Sequence, residues 1–473
     1  MPSDSLRPFL LDGELVARKE RWEIRSPWTG EPVGAASVGT AADVRAAIDA
    51  AVRAAPEARR MPAHARSDVL ARIRAGIEDR REELARVLAL EAGKPITAAR
   101  TEVTRMLATF QDGVEEAKRI TGELIPLDAV PAGAGRTGLV RRFPLSPISA
   151  ITPFNFPLNL AAHKLAPAIA CGASIVLKPP PQDPLTTLML AEIIASAGYP
   201  KGAVSIIPCS VEDAAPLIDD PRVRMISFTG SARAGWAIRA RAAGKKVALE
   251  LGGNAAAVIG PDADLAHAVE RCVTGGFGYA GQSCISVQRI AVHADVETRF
   301  TEKLVERVSA LRGGGPFEDG TEIGPMIDEE NARRAEGWID EAVREGARVA
   351  TGGGRAAARL DPTVLLRTTP AMKVNREEIF APVVTVRTYD AFDDALALVN
   401  DSPYGLQAGL FTSDIRRIMR AFEELEVGGI IVNDVPTWRV DQMPYGGVKM
   451  SGLGREGVRY AIDDMTEPRL LVV

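Results

Sequence analysis

Residues 148–178 read ISAITPFNFPLNLAAHKLAPAIACGASIVLK. Short β-rich runs at 148–151 and 174–177 flank a longer helical run at 158–170. A strand, a helix and a second strand in this order are typical of a βαβ unit, which belongs to a parallel sheet. This stretch therefore predicts an α/β fold.

The alternation continues toward the C-terminus in two series. The first series adds strand-like runs at 204–207 and 223–228 and helical runs at 185–197 and 232–243. The second extends from Ala255 to about Val432, with strand-like runs at 285–292, 383–386 and 430–432 and helical runs at 296–311 and 328–345. We predict a doubly wound parallel sheet followed by a second α/β domain.

On the N-terminal side of this unit the pattern changes twice. Residues 41–118 carry Ala, Arg, Glu and Leu with apolar residues at helical spacing, so this part is predicted to be mostly helix. Residues 122–144 contain prolines and glycines in the middle and end in Val140-Arg141-Arg142-Phe143. We predict a projecting hairpin there, whose strand edges need a partner.

Composition narrows the class of protein. The chain has 473 residues, 46% of them hydrophobic and 25% charged, which is too long for one compact core and predicts two or three domains. A net charge of -5 gives no general reason to bind nucleic acid or an anionic membrane. Four cysteines show neither metal spacing nor a disulfide pattern, and no apolar run is long enough to span a bilayer. We expect a cytoplasmic protein without nucleic-acid or membrane partners.

Two motifs carry residues for covalent catalysis. Cys284 lies in Gly-Tyr-Ala-Gly-Gln-Ser-Cys-Ile-Ser, residues 278–286, behind two flexible glycines. Glu250 ends the strand-like run 247–251 and is followed by Gly252-Gly253. A thiol and a carboxylate base can form a covalent acyl intermediate and then hydrolyse it.

Together with Pro153-Phe154-Asn155-Phe156-Pro157 and Pro444-Tyr445-Gly446-Gly447-Val448-Lys449, these motifs resemble the aldehyde dehydrogenase superfamily over nearly the whole chain. The resemblance implies oxidation of an aldehyde to a carboxylic acid with NAD or NADP, through a cysteine thiohemiacetal and a thioester. It also implies a Rossmann-like cofactor domain, an α/β catalytic domain and a β-hairpin oligomerisation arm. We assign residues 1–119 and 145–251 to NAD(P) binding, 252–433 to the catalytic domain, and 120–144 and 434–473 to the arm and C-terminal segment.

The resemblance assigns the catalytic roles as follows. Cys284 is the nucleophile, Glu250 is the base that activates water, and Asn155 with the Cys284 backbone N–H forms the oxyanion hole. Cys171, Cys209 and Cys272 fit the usual role of small buried hydrophobic residues.

Cofactor residues are assigned in the same way, with the helix start at Phe228-Thr229-Gly230-Ser231 suited to a pyrophosphate. The cofactor-binding set is Pro153, Phe154, Lys178, Pro181, Gly230, Ser231, Glu378 and Phe380. NAD-preferring relatives often carry a glutamate at the position of Pro181, where it repels a 2′-phosphate. Pro181 lacks that charge, which leaves NADP open, although we still expect NAD.

Arg105, His163 and Arg289 lie in or beside segments that border the aldehyde pocket in relatives, so we expect them to receive an anionic tail. Residues 435–441 are similar to those of relatives that act on short hydroxyaldehydes such as lactaldehyde. The predicted substrate is a small aldehyde, hydroxylated or anionic.

Several alternatives remain open or are disfavoured. A CoA-acylating dehydrogenase is disfavoured by Glu250, and a non-catalytic protein that retains the fold is disfavoured by the three intact catalytic residues. A metallohydrolase is less plausible still, because the four histidines show no ligand spacing, so no metal is assigned. The last strand, about 466–473, and the hairpin imply a homodimer or homotetramer.

Overall fold

A computed structural model describes residues 6–473. The helices are α1 Ala41–Arg60, α2 Ala63–Asp79, α3 Arg81–Ala92, α4 Ile96–Glu116, α5 Pro157–Cys171, α6 Leu185–Ala195, α7 Ala215–Asp219, α8 Ala232–Arg241, α9 Leu265–Phe277, α10 Glu297–Ser309, α11 Glu329–Arg344, α12 Lys373–Arg376, α13 Phe392–Asn400, α14 Ile415–Glu424 and α15 Val458–Met465. Short 3₁₀ turns lie at Leu127–Ala129, Pro131–Gly133 and Gly278–Gly281. Within residues 6–473, no helix combines the length and apolarity needed to cross a membrane.

The strands fall into six sheets among the described residues. They are β1 Leu6–Arg7, β2 Phe9–Leu11, β3 Glu14–Val16, β4 Arg21–Arg25, β5 Pro32–Ser37, β6 Glu123–Pro126, β7 Thr137–Pro144, β8 Ile148–Ile151, β9 Ile175–Lys178, β10 Val204–Ile206, β11 Met225–Thr229, β12 Lys246–Glu250, β13 Ala256–Ile259, β14 Arg289–His293, β15 Arg348–Thr351, β16 Arg355–Ala356, β17 Arg359–Leu360, β18 Thr363–Leu366, β19 Val383–Tyr389, β20 Tyr404–Gly405, β21 Gln407–Phe411, β22 Gly429–Val432, β23 Val448–Lys449, β24 Gly452–Leu453 and β25 Thr466–Val472.

The first large sheet has the order β24-β12-β11-β8-β9-β10-β2-β3. Its middle strands, from β12 to β10, are parallel, and antiparallel strands close both edges. Helix α5 follows β8 and is buried along its whole length between the sheet, α4 and α15, which explains its nearly continuous apolar sequence. The predicted α/β class is confirmed.

The second large sheet has the order β15-β18-β19-β14-β13-β21-β22, with every strand parallel except β15. The strand expected at 285–292 begins at Arg289 instead. Residues 285–288 form a loop, in which the Gln288 amide donates to the carbonyl oxygens of Val374 and Glu377 at 2.9 and 2.6 Å. These bonds hold the loop against the segment 374–377.

The two sheets meet at one cleft. Segments that follow β8, β11 and β12 of the first sheet, and segments that precede β14 and β19 of the second, line the same cavity. Carboxyl ends of parallel strands are the usual ligand-binding edge of such sheets. The chain crosses from one sheet to the other through residues 251–255, between β12 and β13.

A separate three-stranded sheet, with the order β25-β7-β6, projects from this body. Strand β25 pairs with β7 from Thr466 to Val472, and β6 and β7 are joined by two of the 3₁₀ turns. The hairpin predicted at 122–144 and the last strand therefore lie in one sheet. We call this sheet the arm.

Candidate active site

The cleft holds a cavity of about 680 Å³. Cys284, Glu250 and Asn155, which are separated by 34 to 129 positions in the chain, all line it. Phe154 and Phe380 form part of its wall and meet edge to face, with ring centroids 5.9 Å apart. The three residues expected to carry catalysis thus share one enclosed space.

Cys284 is placed by an unusual backbone turn. The preceding 3₁₀ turn has left-handed φ angles of 49° at Tyr279, 52° at Ala280 and 68° at Gly281. A Cβ at Gly281 would overlap the carbonyl oxygen of Ala381, so only glycine fits the space there. The Cys284 sulfur lies 2.9 Å from the Tyr445 hydroxyl. Burial raises the pKa of the Cys284 thiol to about 12, although the Tyr445 hydrogen bond acts in the opposite direction.

Asn155 is buried beside Cys284, and its side-chain amide donates to the carbonyl oxygen of Gln282 at 3.2 Å. That bond uses one of the two amide hydrogens and fixes the side chain against the Cys284 loop. The second hydrogen is left for an atom in the cavity, and the Cys284 N–H donates to no atom of residues 6–473. Two donors beside the sulfur are the geometry that an oxyanion requires.

Lys94 holds the Asn155 segment from behind. Its ammonium donates to the carbonyl oxygen of Asn155 at 2.6 Å and lies 4.3 Å from the ring centroids of both Phe156 and Tyr279. It also forms a buried ion pair with Glu102. The Glu102 carboxylate in turn accepts two N–H groups in the first turn of α5, at 3.0 and 3.3 Å. One buried cation therefore ties α4, the oxyanion segment and the Cys284 loop together.

Glu250 ends β12 and faces the cavity with no hydrogen-bond partner for either carboxylate oxygen within the described residues. Burial raises its pKa well above the usual range, and the nearby Glu456 carboxylate raises it further. A buried carboxyl without partners has free lone pairs for water. Such a group is suited to general-base catalysis.

Behind Glu250 lies a network of buried charges. Arg439 donates to Glu456 at 3.1 Å, and Lys164 lies 3.8 Å from the same carboxylate. Burial alone would raise the pKa of Glu456, but these cations and His163 outweigh it and hold that pKa below its usual value. The network therefore favours negative charge on Glu456 and the protonated form of Glu250.

Arg105 and Arg439 reach the cavity. Arg105 binds Asp441 through Nε and Nη2 at 3.1 and 2.7 Å, which leaves Nη1 for another acceptor. The Arg439 guanidinium stacks 3.7 Å from the ring centroid of Tyr445. Its Nε atom is buried 3.9 Å from the Asp441 carboxylate and makes no hydrogen bond among residues 6–473. Of the two guanidinium groups, that of Arg105 therefore keeps a donor for an atom in the cavity.

His163 does not line this cavity. Its Nε2 lies 2.9 Å from Asp441 and 3.0 Å from Arg439, so the ring supports those two side chains from within α5. Burial lowers its pKa and favours the neutral form. The sequence predicted that His163 contacts the substrate tail directly. Its position outside the cavity does not support that contact.

Arg289 is also placed away from the cavity. It lies in β14, and its guanidinium donates to the carbonyl oxygens of Asn254, Leu398 and Val399 at 2.9, 2.7 and 3.1 Å. Burial lowers its pKa to about 10. The side chain ties the second sheet to the end of α13, so the structure does not support its predicted contact with substrate.

Six of the eight residues assigned to the cofactor line the cavity; Lys178 lies at the end of β9, paired with the last residue of β8, and Pro181 lies outside the cavity. Gly230 and Ser231 begin α8, where the Ser231 hydroxyl accepts the Ala234 N–H at 3.3 Å and the first helical N–H groups remain open. Lys178 is buried at the end of β9 and donates within residues 6–473 only to its neighbour Pro179, at 3.3 Å. Its two remaining N–H bonds need acceptors.

Glu378 accepts the Gly253 N–H at 3.0 Å, and burial raises its pKa to about 7. A Cβ at Gly252 would overlap this carboxylate. A helix start, an unsatisfied ammonium and a carboxylate along one cleft fit the pyrophosphate and ribose hydroxyls of a dinucleotide. Pro153, Phe154 and Phe380 add the cavity wall, whereas Pro181 is exposed outside it.

Comparison with known proteins agrees with this geometry. The model of the aldehyde dehydrogenase family matches residues 15–471. The chain belongs to the aldehyde dehydrogenase family. The prediction of an NAD(P)-dependent aldehyde dehydrogenase acting on small aldehydes is confirmed at this level.

Individual aldehyde dehydrogenases match over nearly their whole length. The chain is 44% identical over 464 residues to a 3-sulfolactaldehyde dehydrogenase of Priestia aryabhattai, covering 98% of this chain and 97% of the relative. Aldehyde dehydrogenase 21 from Physcomitrella patens, solved with its reaction product succinate, has a TM-score of 0.98 at 44% identity and covers 99% and 98% of the two chains. Glyceraldehyde-3-phosphate dehydrogenase of Methanocaldococcus jannaschii, solved with NADP, has a TM-score of 0.93 at 37% identity, with 97% and 100% covered.

Sequence reasoning missed several residues of the site. Arg439 lies inside the segment 435–441 that was compared with hydroxyaldehyde enzymes, but nothing in its spacing shows that it reaches Tyr445. Lys94 and Glu456 approach the cavity from opposite ends of the chain. Only the tertiary fold brings them to it, so no local motif could have identified them.

Proposed function

We propose that this aldehyde dehydrogenase oxidises a small aldehyde with an anionic tail, a sulfonate or a carboxylate, to the corresponding acid. The observation that carries the proposal is the Arg105 guanidinium, which lines the cavity and keeps Nη1 free while Nε and Nη2 bind Asp441. An anionic oxygen is the acceptor that satisfies a guanidinium best.

Further cations support the same choice of substrate. Arg439 also lines the cavity, and Arg271 lines it while binding Asp434 through Nε alone, at 2.6 Å. The relatives agree in chemistry, since one is named for a sulfonated aldehyde and another was solved with the dicarboxylate succinate. Both ligands place an anionic group a few bonds from the reacting carbon.

The first chemical step is assigned to Cys284. Its thiolate attacks the aldehyde carbon and forms a thiohemiacetal, whose oxygen carries the developing negative charge. The Asn155 amide and the Cys284 backbone N–H are the donors available to that oxygen. Lys94 keeps the Asn155 backbone in place, so the donors are organised before the substrate arrives.

When bound, NAD(P) accepts the hydride that leaves the thiohemiacetal carbon, which converts the sulfur adduct to a thioester. Glu250 then takes a proton from water, and the resulting hydroxide attacks the thioester carbon. The carbon–sulfur bond breaks, the carboxylic acid leaves, and the sulfur returns to Cys284. The unpartnered carboxylate oxygens of Glu250 leave room for that water.

The cofactor assignment follows the open groups along the cleft. Lys178 and Glu378 would hold ribose hydroxyls, and the α8 start with Gly230 and Ser231 would hold the pyrophosphate. Pro181 carries no charge that could repel a 2′-phosphate, so we assign both NAD and NADP as usable cofactors. Phe380 and Phe154 would pack beside the nicotinamide.

We also propose that the enzyme is a homo-oligomer assembled through the arm. Leu470, Leu471 and Val472 of β25 are exposed, and within residues 6–473 the outer edge of β25 pairs with no other strand. An apolar strand with a free edge is an aggregation hazard unless another copy covers it. Deletion of residues 466–473 should convert the dimer or tetramer into monomers in size-exclusion chromatography; an unchanged oligomer would reject this role.

The four cysteines are free thiols, which suits the reducing conditions of the cytoplasm, and we assign the enzyme to that compartment. Glu250 supports hydrolysis of the acyl intermediate over its transfer to CoA. Analysis of the product formed with and without CoA separates the two outcomes, since a hydrolytic enzyme releases free acid in both cases.

The test of substrate class compares initial rates of NADH and NADPH formation on charged and neutral aldehydes. Succinate semialdehyde and 3-sulfolactaldehyde represent the first group, and butanal and lactaldehyde the second. Arg105→Gln should raise KM for the charged aldehydes by about 10- to 100-fold, the loss expected for a charge-assisted hydrogen bond, with a much smaller effect on neutral ones. Arg420→Gln, on the surface of α14, is the matched control.

Cys284→Ala should abolish turnover of every aldehyde. Equal loss of charged and neutral substrates in Arg105→Gln would reject the anionic tail without rejecting the assignment as an aldehyde dehydrogenase. Full activity of Cys284→Ala would reject the assigned nucleophile.

A further inference from the structure

The sulfur of Cys284 has one side-chain partner among residues 6–473, the hydroxyl of Tyr445 at 2.9 Å. Tyr445 is almost completely buried and packs with Ile285 and Leu406 against the cysteine. Its ring is covered on one face by the Arg439 guanidinium at 3.7 Å from the centroid. The hydroxyl is therefore fixed in position beside the reacting atom.

The direction of this hydrogen bond follows from the chemistry of the two groups. A phenol is a good donor, whereas a thiol is a weak donor and a thiolate is an acceptor only. Burial raises the pKa of Tyr445 well above its usual value, so its proton stays on oxygen over the working range of the enzyme. The bond is strongest when the sulfur is ionised.

We propose that Tyr445 is a catalytic residue whose hydroxyl donates to the Cys284 thiolate and stabilises it, while Arg439 positions the phenol ring. The proposal rests on the assignment of Cys284 as nucleophile and adds a group that makes it reactive. The thiol proton passes to water, and the Tyr445 proton remains on oxygen throughout. The sulfur loses its negative charge as it bonds to the aldehyde carbon, so its hydrogen bond with Tyr445 weakens. The hydrogen bond therefore does not oppose the attack of the sulfur on the aldehyde.

The surroundings of the sulfur make such a donor necessary. Glu250, from β12, and Glu378, from the segment before β19, both disfavour a negative charge on Cys284, and burial does so more strongly. Only Tyr445 and the Arg439 cation favour it. Without the Tyr445 hydroxyl, the thiolate would be stabilised by the Arg439 guanidinium, whose charge the neighbouring Glu456 partly neutralises.

The size of the effect can be worked out for Tyr445→Phe, which removes one oxygen and keeps the ring. Loss of one hydrogen bond to a charged group should raise the thiol pKa by about one unit. At pH values below that pKa, the fraction of Cys284 present as thiolate then falls about tenfold. The remaining thiolate is more basic and therefore about threefold more reactive. Because burial raises the Cys284 pKa to about 12, pH 6 to pH 10 lies below it, and the net alkylation rate should fall about threefold throughout this range. A threefold loss displaces the pH profile by about half a unit toward alkaline pH.

The experiment measures alkylation of Cys284 by iodoacetamide in the full-length enzyme without substrate, between pH 6 and pH 10, with the modified cysteine identified by mass spectrometry. Tyr389→Phe is the matched control, because it also removes a buried hydroxyl, one that donates to the Ile259 carbonyl at 3.1 Å far from the cavity. Thermal unfolding of both variants shows that each is folded. A profile displaced in Tyr445→Phe and unchanged in Tyr389→Phe supports the proposal.

Superimposable profiles of Tyr445→Phe and the parent would overturn it, and would leave Tyr445 as a wall of the pocket. Failure of the underlying assignment gives a different result: Cys284 would be alkylated without loss of aldehyde oxidation. The two failures are therefore distinguishable in one set of samples.

Discussion

Replacement of Lys94 by methionine should damage both stability and catalysis, although Lys94 touches no substrate. Methionine keeps the length of the side chain but removes the ammonium that pairs with Glu102 and donates to the Asn155 carbonyl. The change leaves the Glu102 carboxylate buried without its counter-ion. It also removes the cation held between the rings of Phe156 and Tyr279.

The magnitude follows from the burial of the pair, since the side chains of Lys94 and Glu102 are each 1% exposed. Breaking such a pair by removing one partner costs about 3–5 kcal/mol. The hydrogen bonds that Glu102 accepts from two N–H groups of α5 remain and reduce the cost. We therefore expect Lys94→Met to lower the free energy of unfolding by about 3 kcal/mol. Lys94→Met/Glu102→Gln removes the uncompensated charge and should be more stable than Lys94→Met alone.

Urea unfolding followed by tryptophan fluorescence tests this order of stabilities, with Lys303→Met on the exposed face of α10 as the control. Turnover should fall about tenfold in both Lys94 variants, because both lose the donor that holds Asn155. A Lys94→Met enzyme with the midpoint and turnover of Lys303→Met would refute the reasoning. If Lys94→Met/Glu102→Gln were less stable than Lys94→Met, the unpaired Glu102 carboxylate would not be the cause of the lost stability.

Three further results are expected. Glu250→Gln should release about one equivalent of reduced cofactor per active site in a stopped-flow burst and then stall at the thioester; steady turnover at the parent rate would assign the base elsewhere. Asn155→Ala should lower kcat about 10²- to 10³-fold with little change in KM, and a loss confined to KM would reject its oxyanion role. Because burial raises the pKa of both Cys284 and Glu250, and because both act without their protons, kcat/KM should rise from pH 6 toward alkaline pH; a rate that falls over this range would contradict the assignment.

Local patterns predicted most elements of the fold, whereas the catalytic roles of Cys284, Glu250 and Asn155 were assigned from the family resemblance of their motifs. The alternation around residues 148–178 predicted β8, α5 and β9 because each element is buried and has a simple periodicity. Cys284, Glu250 and Asn155 follow strand ends or precede strand starts, where parallel sheets collect functional groups. The domain boundaries remain predictions.

Long side chains were harder to place. Arg289 was expected in the pocket, yet along a strand successive side chains point to opposite faces, and this one points toward the end of α13. His163 lies one turn beyond Asn159 and Leu160, the residues of α5 that line the cavity, in a helix that is buried all round. The helix sequence therefore did not show that the cavity ends before His163. Arg439 contacts His163, which lies 276 positions earlier in the chain. The spacing of residues in the sequence cannot predict a contact between positions so far apart.

The link between the two large sheets, residues 251–255, has consequences for how chain length can vary. A Cβ at Gly252 would overlap Glu378, and one at Gly253 would lie 2.8 Å from the Cys284 carbonyl oxygen. This short link fixes the position of Glu250 relative to Cys284 and has no room for a change in backbone length. An inserted or deleted residue would shift the base and nucleophile out of register. Length changes should be tolerated far better at Gly346 or Gly244, where no other group lies within 4 Å of the added methyl position.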